Sequence, residues 1–173
     1  MKTLFKILLP LSFIFLFTAC SSKYPTLPTT KSVDINKYLG KWYEVARYEH
    51  FFEKGCKNVT ATYSLREDGD INVINRCTKI KTGEKTQANG IAYATNDENT
   101  KLKVSFFRPF WGDYWVLMLD EDYKYAVVGT PSREYLWILS RSSTISEELK
   151  TEILSKLPSL GFVTNKLIWT IQD

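Results

Sequence analysis

Between Trp42 and Arg141 the chain is a succession of short apolar runs, rich in β-branched and aromatic residues and separated by turn signals. Two runs alternate cleanly. Val59, Ala61, Tyr63 and Leu65 oppose Thr60, Thr62 and Ser64, and Leu102, Val104 and Phe106 oppose Lys101, Lys103 and Ser105. A period of two gives each run one dry face and one wet face, the mark of a half-buried strand. The pattern predicts eight strands, near 42–48, 58–65, 70–77, 85–94, 101–107, 114–119, 123–129 and 135–141. Short loops between successive strands favour an all-β, antiparallel up-and-down barrel over a sandwich. The runs 114–119 and 136–139 are apolar on both faces, so their outer face needs a cover. A helix further along supplies one: Thr144-x-x-Glu147 reads as a capping box, and Ile145, Leu149, Ile153 and Leu157 recur at helical spacing. Pro158 and Gly161 end that helix, and a final short strand at 166–171 is predicted to return beside the first.

The entry into the first strand has its own logic. Asp34 is placed to cap a short turn over 35–38, and Gly40 lets the backbone turn tightly where a Cβ would clash. Trp42 is then predicted to plug the closed end of the barrel with its indole.

The first residues belong to no strand. A short basic start, an apolar run at 7–17 and small residues before Cys20 read as an export signal over 1–19. The run is too short for a transmembrane helix, which needs about 20 apolar residues. Phe17-Thr18-Ala19-Cys20 resembles the bacterial lipobox, with Phe17 where Leu is usual. That resemblance implies a diacylglycerol on the Cys20 thiol, and Ser21 in place of Asp implies sorting to the outer membrane with the domain facing the periplasm. Residues 20–32, with Pro25 and Pro28, read as an extended tether, and 33–173 as the folded domain.

Composition narrows the function. With 173 residues, 44% hydrophobic and 14% aromatic, the chain has enough apolar surface for one domain with a real core. The formal charge of +4 falls to +2 once Lys2 and Lys6 leave with the signal, too little to argue for nucleic acid. With Cys20 lipidated, Cys56 and Cys77 form an even pair in an oxidising compartment, flanking a hairpin at Asp68-Gly69 that brings them close. The competing chemistry is a reactive Cys56 thiol beside His50, the chain's one histidine, with no acidic orienting partner evident. One histidine, no metal-ligand spacing, no glycine-rich phosphate loop and no Gly-x-Ser-x-Gly elbow point to a binder, with no catalytic residue, metal or cofactor.

Gly40-x-Trp42, the eight-strand meander and Leu139-Ser140-Arg141 ahead of a C-terminal helix together resemble the lipocalins, specifically the bacterial lipoprotein branch related to apolipoprotein D. Trp42-Tyr43-Glu44-Val45-Ala46-Arg47, Val59-Thr60-Ala61-Thr62-Tyr63-Ser64-Leu65 and Tyr135-Leu136-Trp137-Ile138-Leu139-Ser140-Arg141 together carry the specificity. The expected Thr-Asp-Tyr between the sixth and seventh strands is replaced by Asp120-Glu121-Asp122-Tyr123. The resemblance implies that Arg141 lies over the Trp42 indole, which makes Gly40, Trp42 and Arg141 structural. Glu44, on the same side as Trp42, is then expected to be a buried carboxylate satisfied at the floor.

A hollow barrel implies an elongated apolar ligand, a fatty acid, phospholipid or lysophospholipid, buried at about 0.8 kcal/mol per CH₂. The expected lining is Ala61, Tyr63, Val73, Val104, Phe106, Trp137 and Leu139. The family pattern adds Tyr114, Val116 and Met118 facing inward, with Trp115 under the helix. Loops after odd-numbered strands should form the mouth, where Lys54, Lys57, Lys79, Lys81, Arg108 and Arg133 mingle with Phe51, Phe52, Phe110 and Trp111. That rim could receive an anionic headgroup or rest on a membrane surface, although Glu53, Glu84, Asp113 and Glu134 share its loops. The expected partners are the lipid ligand and the membrane reached through the N-terminal anchor. A homodimer is also compatible with the sequence. The branch further implies envelope maintenance under stress. Two other readings remain: a lipid-modifying enzyme on the same scaffold, and a tethered structural module with a filled barrel.

Overall fold

The computed structural model describes residues 24–173, so the expected signal segment and Cys20 lie outside the described residues. A helical turn α1 (Ile35–Tyr38) leads into strands β1 (Gly40–Tyr48), β2 (Cys56–Leu65), β3 (Ile71–Lys79), β4 (Lys85–Ala94), β5 (Lys101–Phe107), β6 (Phe110–Leu119), β7 (Tyr125–Gly129) and β8 (Leu136–Ser140). Helix α2 (Glu147–Lys156) and a short β9 (Leu167–Trp169) follow. Each strand from β2 to β8 pairs with its sequence neighbour, and β1 pairs with both β8 and β2. The sheet is therefore a closed eight-stranded antiparallel barrel, as the meander predicts.

Most buried apolar residues divide into two clusters on either side of the sheet, with a third, small one of Cys56, Val59 and Cys77. The interior cluster includes Trp42, Ala61, Tyr63, Val73, Leu102, Val116 and Leu139. The outer cluster places Val45, Leu117, Val127, Leu136 and Ile138 under Ile153 and Leu157, which are fully buried. The two-faced strands thus gain the helical cover they require. The helix start differs from the capping box: Ser146, not Thr144, is the N-cap, and its hydroxyl accepts from the Leu149 amide at 3.2 Å. This start puts Glu147 and Glu148 in the first turn, where the helix dipole favours them.

Four register shifts interrupt the ladders, one of them in β2 between Lys57 and Thr60, and the other three bear on the expected inside/outside alternation. Between Glu44 and Ala46 the β1–β8 register slips, so Ala46 joins the outer cluster and Arg47 stands opposite Trp137. Between Val116 and Met118 the β6–β7 register slips, so Met118 packs in the outer cluster and Leu119 in the inner one. The inward assignment of Met118 is corrected on this ground, since one extra residue reverses every side chain beyond it. The third bulge lies between Val104 and Phe107. Within it Phe106 is 43% exposed and joins no buried cluster, so its assignment to the apolar lining is corrected as well. Strand β6 begins at Phe110 rather than Tyr114, because a tight hairpin pairs Phe107 with Phe110.

Residues 24–33 are not a free spacer. Leu27 is buried in the outer cluster, the Thr30 amide donates to the Val116 carbonyl at 2.9 Å, and the Val33 amide donates to Glu98 at 2.8 Å. The strap thus runs down the barrel wall and fixes most of what reads as tether in the sequence.

The seam between β1 and β2 is completed from far along the chain. The two strands pair only from Gly40 to Tyr43, and beyond that β9 pairs with Ala46–Tyr48. The Asn58 amide donates to the Ile171 carbonyl at 2.8 Å, and Gln172 Nε2 donates to the carbonyls of Glu44 and Val59 at 2.8 and 2.9 Å.

Candidate functional site

The barrel interior has three levels. At the floor, the Arg141 guanidinium lies 3.8 Å from the Trp42 ring centroid. Its nitrogens donate to the carbonyls of Lys41, Lys37 and Leu39 at 2.8, 2.8 and 2.9 Å, while Trp42 Nε1 donates to Tyr38 at 2.8 Å. Gly40 has φ +90, while the Arg141 guanidinium stands 3.5 Å from where its Cβ would be, an ordinary contact, so glycine is required here by backbone conformation and not by the clash expected from the sequence. The departed turn 120–123 is tied in too: Arg141 Nε donates to the Tyr123 carbonyl at 3.3 Å, and the Tyr123 hydroxyl accepts from the Asp34 amide at 2.8 Å. Asp34 caps α1 as expected, accepting from the amides of Asn36 and Lys37.

Above the floor three tyrosines join their hydroxyls inside the wall. Tyr114 Oη is 2.8 Å from Tyr38 Oη and 2.9 Å from Tyr63 Oη. Burial pushes the Tyr38 and Tyr114 hydroxyls well above their ordinary value and Tyr63 up to about 12. The three therefore stay neutral and satisfy one another, which lets a polar layer sit in an apolar barrel.

The upper level is charged. Arg47 Nη1 meets Glu44 Oε1 at 2.8 Å and Thr170 Oγ1 at 3.1 Å, and Nη2 donates to the Glu53 carbonyl at 3.0 Å. The Thr170 hydroxyl also donates to Glu44 Oε1. Glu53, on a 3₁₀ turn (Phe51–Glu53) over the mouth, is buried with Oε2 3.1 Å from His50 Nε2 and 3.7 Å from Arg47 Nε. Burial raises the Glu44 carboxyl to about 8, aided by Glu53 and opposed by Arg47. Burial also pushes Glu53 up, but His50, Glu44 and Arg47 outweigh it and hold that carboxyl below its ordinary value. Arg47 Nε, both His50 nitrogens and Glu53 Oε2 are buried without an aligned hydrogen-bond partner among the described residues. Tyr135 stacks on Trp137 with centroids 5.8 Å apart, and His50 lies 5.4 Å from Trp137 and 3.8 Å from Phe52.

The structure brings many of the expected lining residues together. Ala61, Tyr63, Val73, Val116 and Leu139 are buried in the interior cluster, and Val104, Tyr114 and Trp137 pack against it. Met118 and Trp115 pack outside, under the helix. Cys56 and Cys77 form a disulfide, which removes the free Cys56 thiol that the nucleophile reading needs. Glu44 meets Arg47 and Thr170 rather than floor donors. Two of the rim cations serve other ends: Arg133 donates to the carbonyls of Leu160, Pro131 and Pro25, and Lys57 pairs with Asp173. Arg47 and Glu53 escape a count by alternation, because the bulge turns Arg47 inward and only tertiary folding carries Glu53 over the mouth. The short spacing of Arg47, His50 and Glu53 beside a Gly55 with φ +70 is the one trace they leave in the sequence.

Comparison with known proteins agrees with this architecture. The family model described as "Lipocalin-like domain" matches residues 33–172. "Outer membrane lipoprotein Blc" of Citrobacter freundii is 50% identical over 161 residues, covering 91% of either chain. "Apolipoprotein D" of Cavia porcellus is 35% identical over 160 residues, covering 87% of this chain and 82% of that one. Among solved structures, insecticyanin from the tobacco hornworm Manduca sexta superposes with a TM-score of 0.68 at 20% identity, covering 84% of both chains, a likeness of fold alone.

Proposed function

Because the chain belongs to the lipocalin-like family, we propose that it is an outer-membrane lipoprotein that binds a lipophilic ligand within its barrel, namely a fatty acid, phospholipid or lysophospholipid. The observation that carries the reading is the gradient along the barrel axis. Apolar wall residues such as Ala61, Val73, Val116 and Leu139 lie below a buried Arg47–His50–Glu53 group at the mouth. Such a gradient matches an amphiphile whose chain points down and whose polar end stays near the opening. Tyr63, Tyr114, Val104, Trp137 and Leu139 are the proposed chain contacts, with Phe106 and Met118 outside that set. Cys20 is the proposed lipid attachment site, and the relative's printed name supports the outer-membrane location.

The test is native mass spectrometry of the full lipoprotein, followed by extraction and identification of what it carries. An acyl lipid bound one to one supports the carrier. A protein that holds no lipid and gains no thermal stability from added oleate or lysophosphatidylcholine is instead a structural module with a filled barrel. Turnover of the lipid that disappears in His50→Ala while binding persists would establish the enzymatic reading. A role in envelope maintenance under stress belongs to the same proposal, and is checked by comparing the survival of a deletion strain with that of its parent.

A further inference from the structure

The two ends of the barrel differ in what they show to solvent. Strands β1, β3 and β5 run toward the mouth, and the connections that follow them carry Phe51, Phe107 and Phe110, which are 85%, 75% and 70% exposed. The rings of Phe107 and Phe110 stack with each other, 6.2 Å between centroids, but neither packs into a buried cluster. Exposed Lys54, Lys81 and Arg108 stand in the same connections, accompanied by Glu84. The opposite end presents turns richer in carboxylates, with Glu67, Asp68, Asp97, Glu98, Glu121 and Asp122 exposed, of which Asp68 pairs with Arg66 and Asp122 with Lys124. Large apolar side chains gathered at one end and rimmed by cations are the surface chemistry of a protein that meets a lipid interface.

The path of the strap gives this end a direction. Tyr24 lies under the Arg133 guanidinium at 5.1 Å, and Arg133 Nη2 donates to the Pro25 carbonyl at 2.8 Å. Arg133 follows β7, so it belongs to the mouth end. From there the strap descends to Val33 and Glu98 at the floor. Four residue steps separate Tyr24 from Cys20, a reach of at most about 14 Å even when fully extended. A lipid on Cys20 therefore holds the mouth, and not the acidic floor, close to the bilayer.

We propose that the barrel stands mouth-down on the membrane that holds its own anchor, with Phe51, Phe107 and Phe110 seated among the lipid headgroups. The occupant of the rim is thus a lipid surface rather than a second copy of the chain, because the short leash brings that surface to the rim without a further partner. The inference rests on the Cys20 anchor of the proposed function. In this orientation a ligand passes between bilayer and barrel without crossing bulk water.

The test uses the full lipidated protein on vesicles of phosphatidylethanolamine and phosphatidylglycerol containing doxyl-labelled lipid. An environment-sensitive fluorophore is attached in Phe107→Cys at the mouth and, separately, in Asp97→Cys at the floor. The expected result is several-fold stronger quenching at position 107 than at 97, unchanged when the protein is diluted to one copy per vesicle. Equal quenching at the two positions on vesicle-bound protein, or stronger quenching at 97, overturns the orientation and leaves the anchor standing. Shielding of position 107 that vanishes at one copy per vesicle overturns it in favour of a dimer. Protein that does not stay with the vesicles overturns the orientation together with the anchor on which it rests.

Discussion

The floor and the mouth of this barrel are built from the same residue types to opposite effect. At both ends an arginine is held inside the barrel, Arg141 over the Trp42 ring and Arg47 among Glu44, Glu53 and Thr170. Arg141 spends its donors on the carbonyls of Lys37, Lys41, Leu39 and Tyr123 while covering Trp42. Arg47 leaves Nε without an aligned partner, beside a histidine and a glutamate in the same condition. A saturated arginine stiffens its surroundings, whereas buried polar atoms without partners cost stability and persist where something else requires them. The closed end is accordingly the structural one, and the open end is where chemistry with a ligand is to be sought.

The contrast breaks most clearly at Trp42. Trp42→Ala is expected to cost about 3–5 kcal/mol, the range for a large buried aromatic, while the preference among lipids changes little. Urea unfolding with and without ligand checks both halves, and a lost preference with intact stability would reverse the roles of the two ends. Removing the mouth-side disulfide by a paired Cys56→Ser and Cys77→Ser change comes next. The bridge spans a sequence separation of 21, and its loss is expected to cost about 3 kcal/mol in the same experiment.

A smaller effect separates the ends by pH. Burial raises the Glu44 carboxyl from 4.5 to about 8, so the folded protein holds that proton more tightly than the unfolded chain does. Its contribution to stability is fully present below about 4.5 and is lost as the pH rises through 8. Glu53, held below its ordinary value, acts the other way: its contribution is present above 4.5 and is lost as the pH falls through its folded value. Glu44→Gln should therefore flatten the decline in melting temperature between about pH 4.5 and 8, and a decline as steep as in the parent would contradict the assignment. The smallest effect belongs to the rim, where Phe51→Ser should shift stability in solution by no more than about 0.5 kcal/mol. Thermal melts without vesicles check it, and a larger loss would make that ring part of the fold.

Most of the barrel is legible in the sequence because alternation and turn chemistry are local. Strands β4 and β5 coincide with their predicted ranges, and the disulfide and the Arg141–Trp42 contact appear where the sequence and its family resemblance place them. What escapes is nonlocal. A parity count assumes a period of two, and each bulge adds a residue that the period does not announce. Met118 is thereby turned outward and Arg47 inward. The Glu44–Arg47–Glu53–Thr170 group draws on β1, the mouth turn and the segment after β9, so no stretch of sequence contains its pattern. The strap is missed for a related reason: Pro25 and Pro28 read as a spacer, while Leu27 between them is anchored by residues far along the chain.

The β1–β2 seam sets a timetable for the molecule. Thr170 and Gln172 bridge to Glu44 across 126 and 128 positions, so beyond Tyr43 the staves cannot be hooped until that distant stretch is in place. Without that stretch the vessel would stand open along the upper part of one side and Arg47 would lack its Thr170 partner, so the same residues that close the seam also complete the charged group.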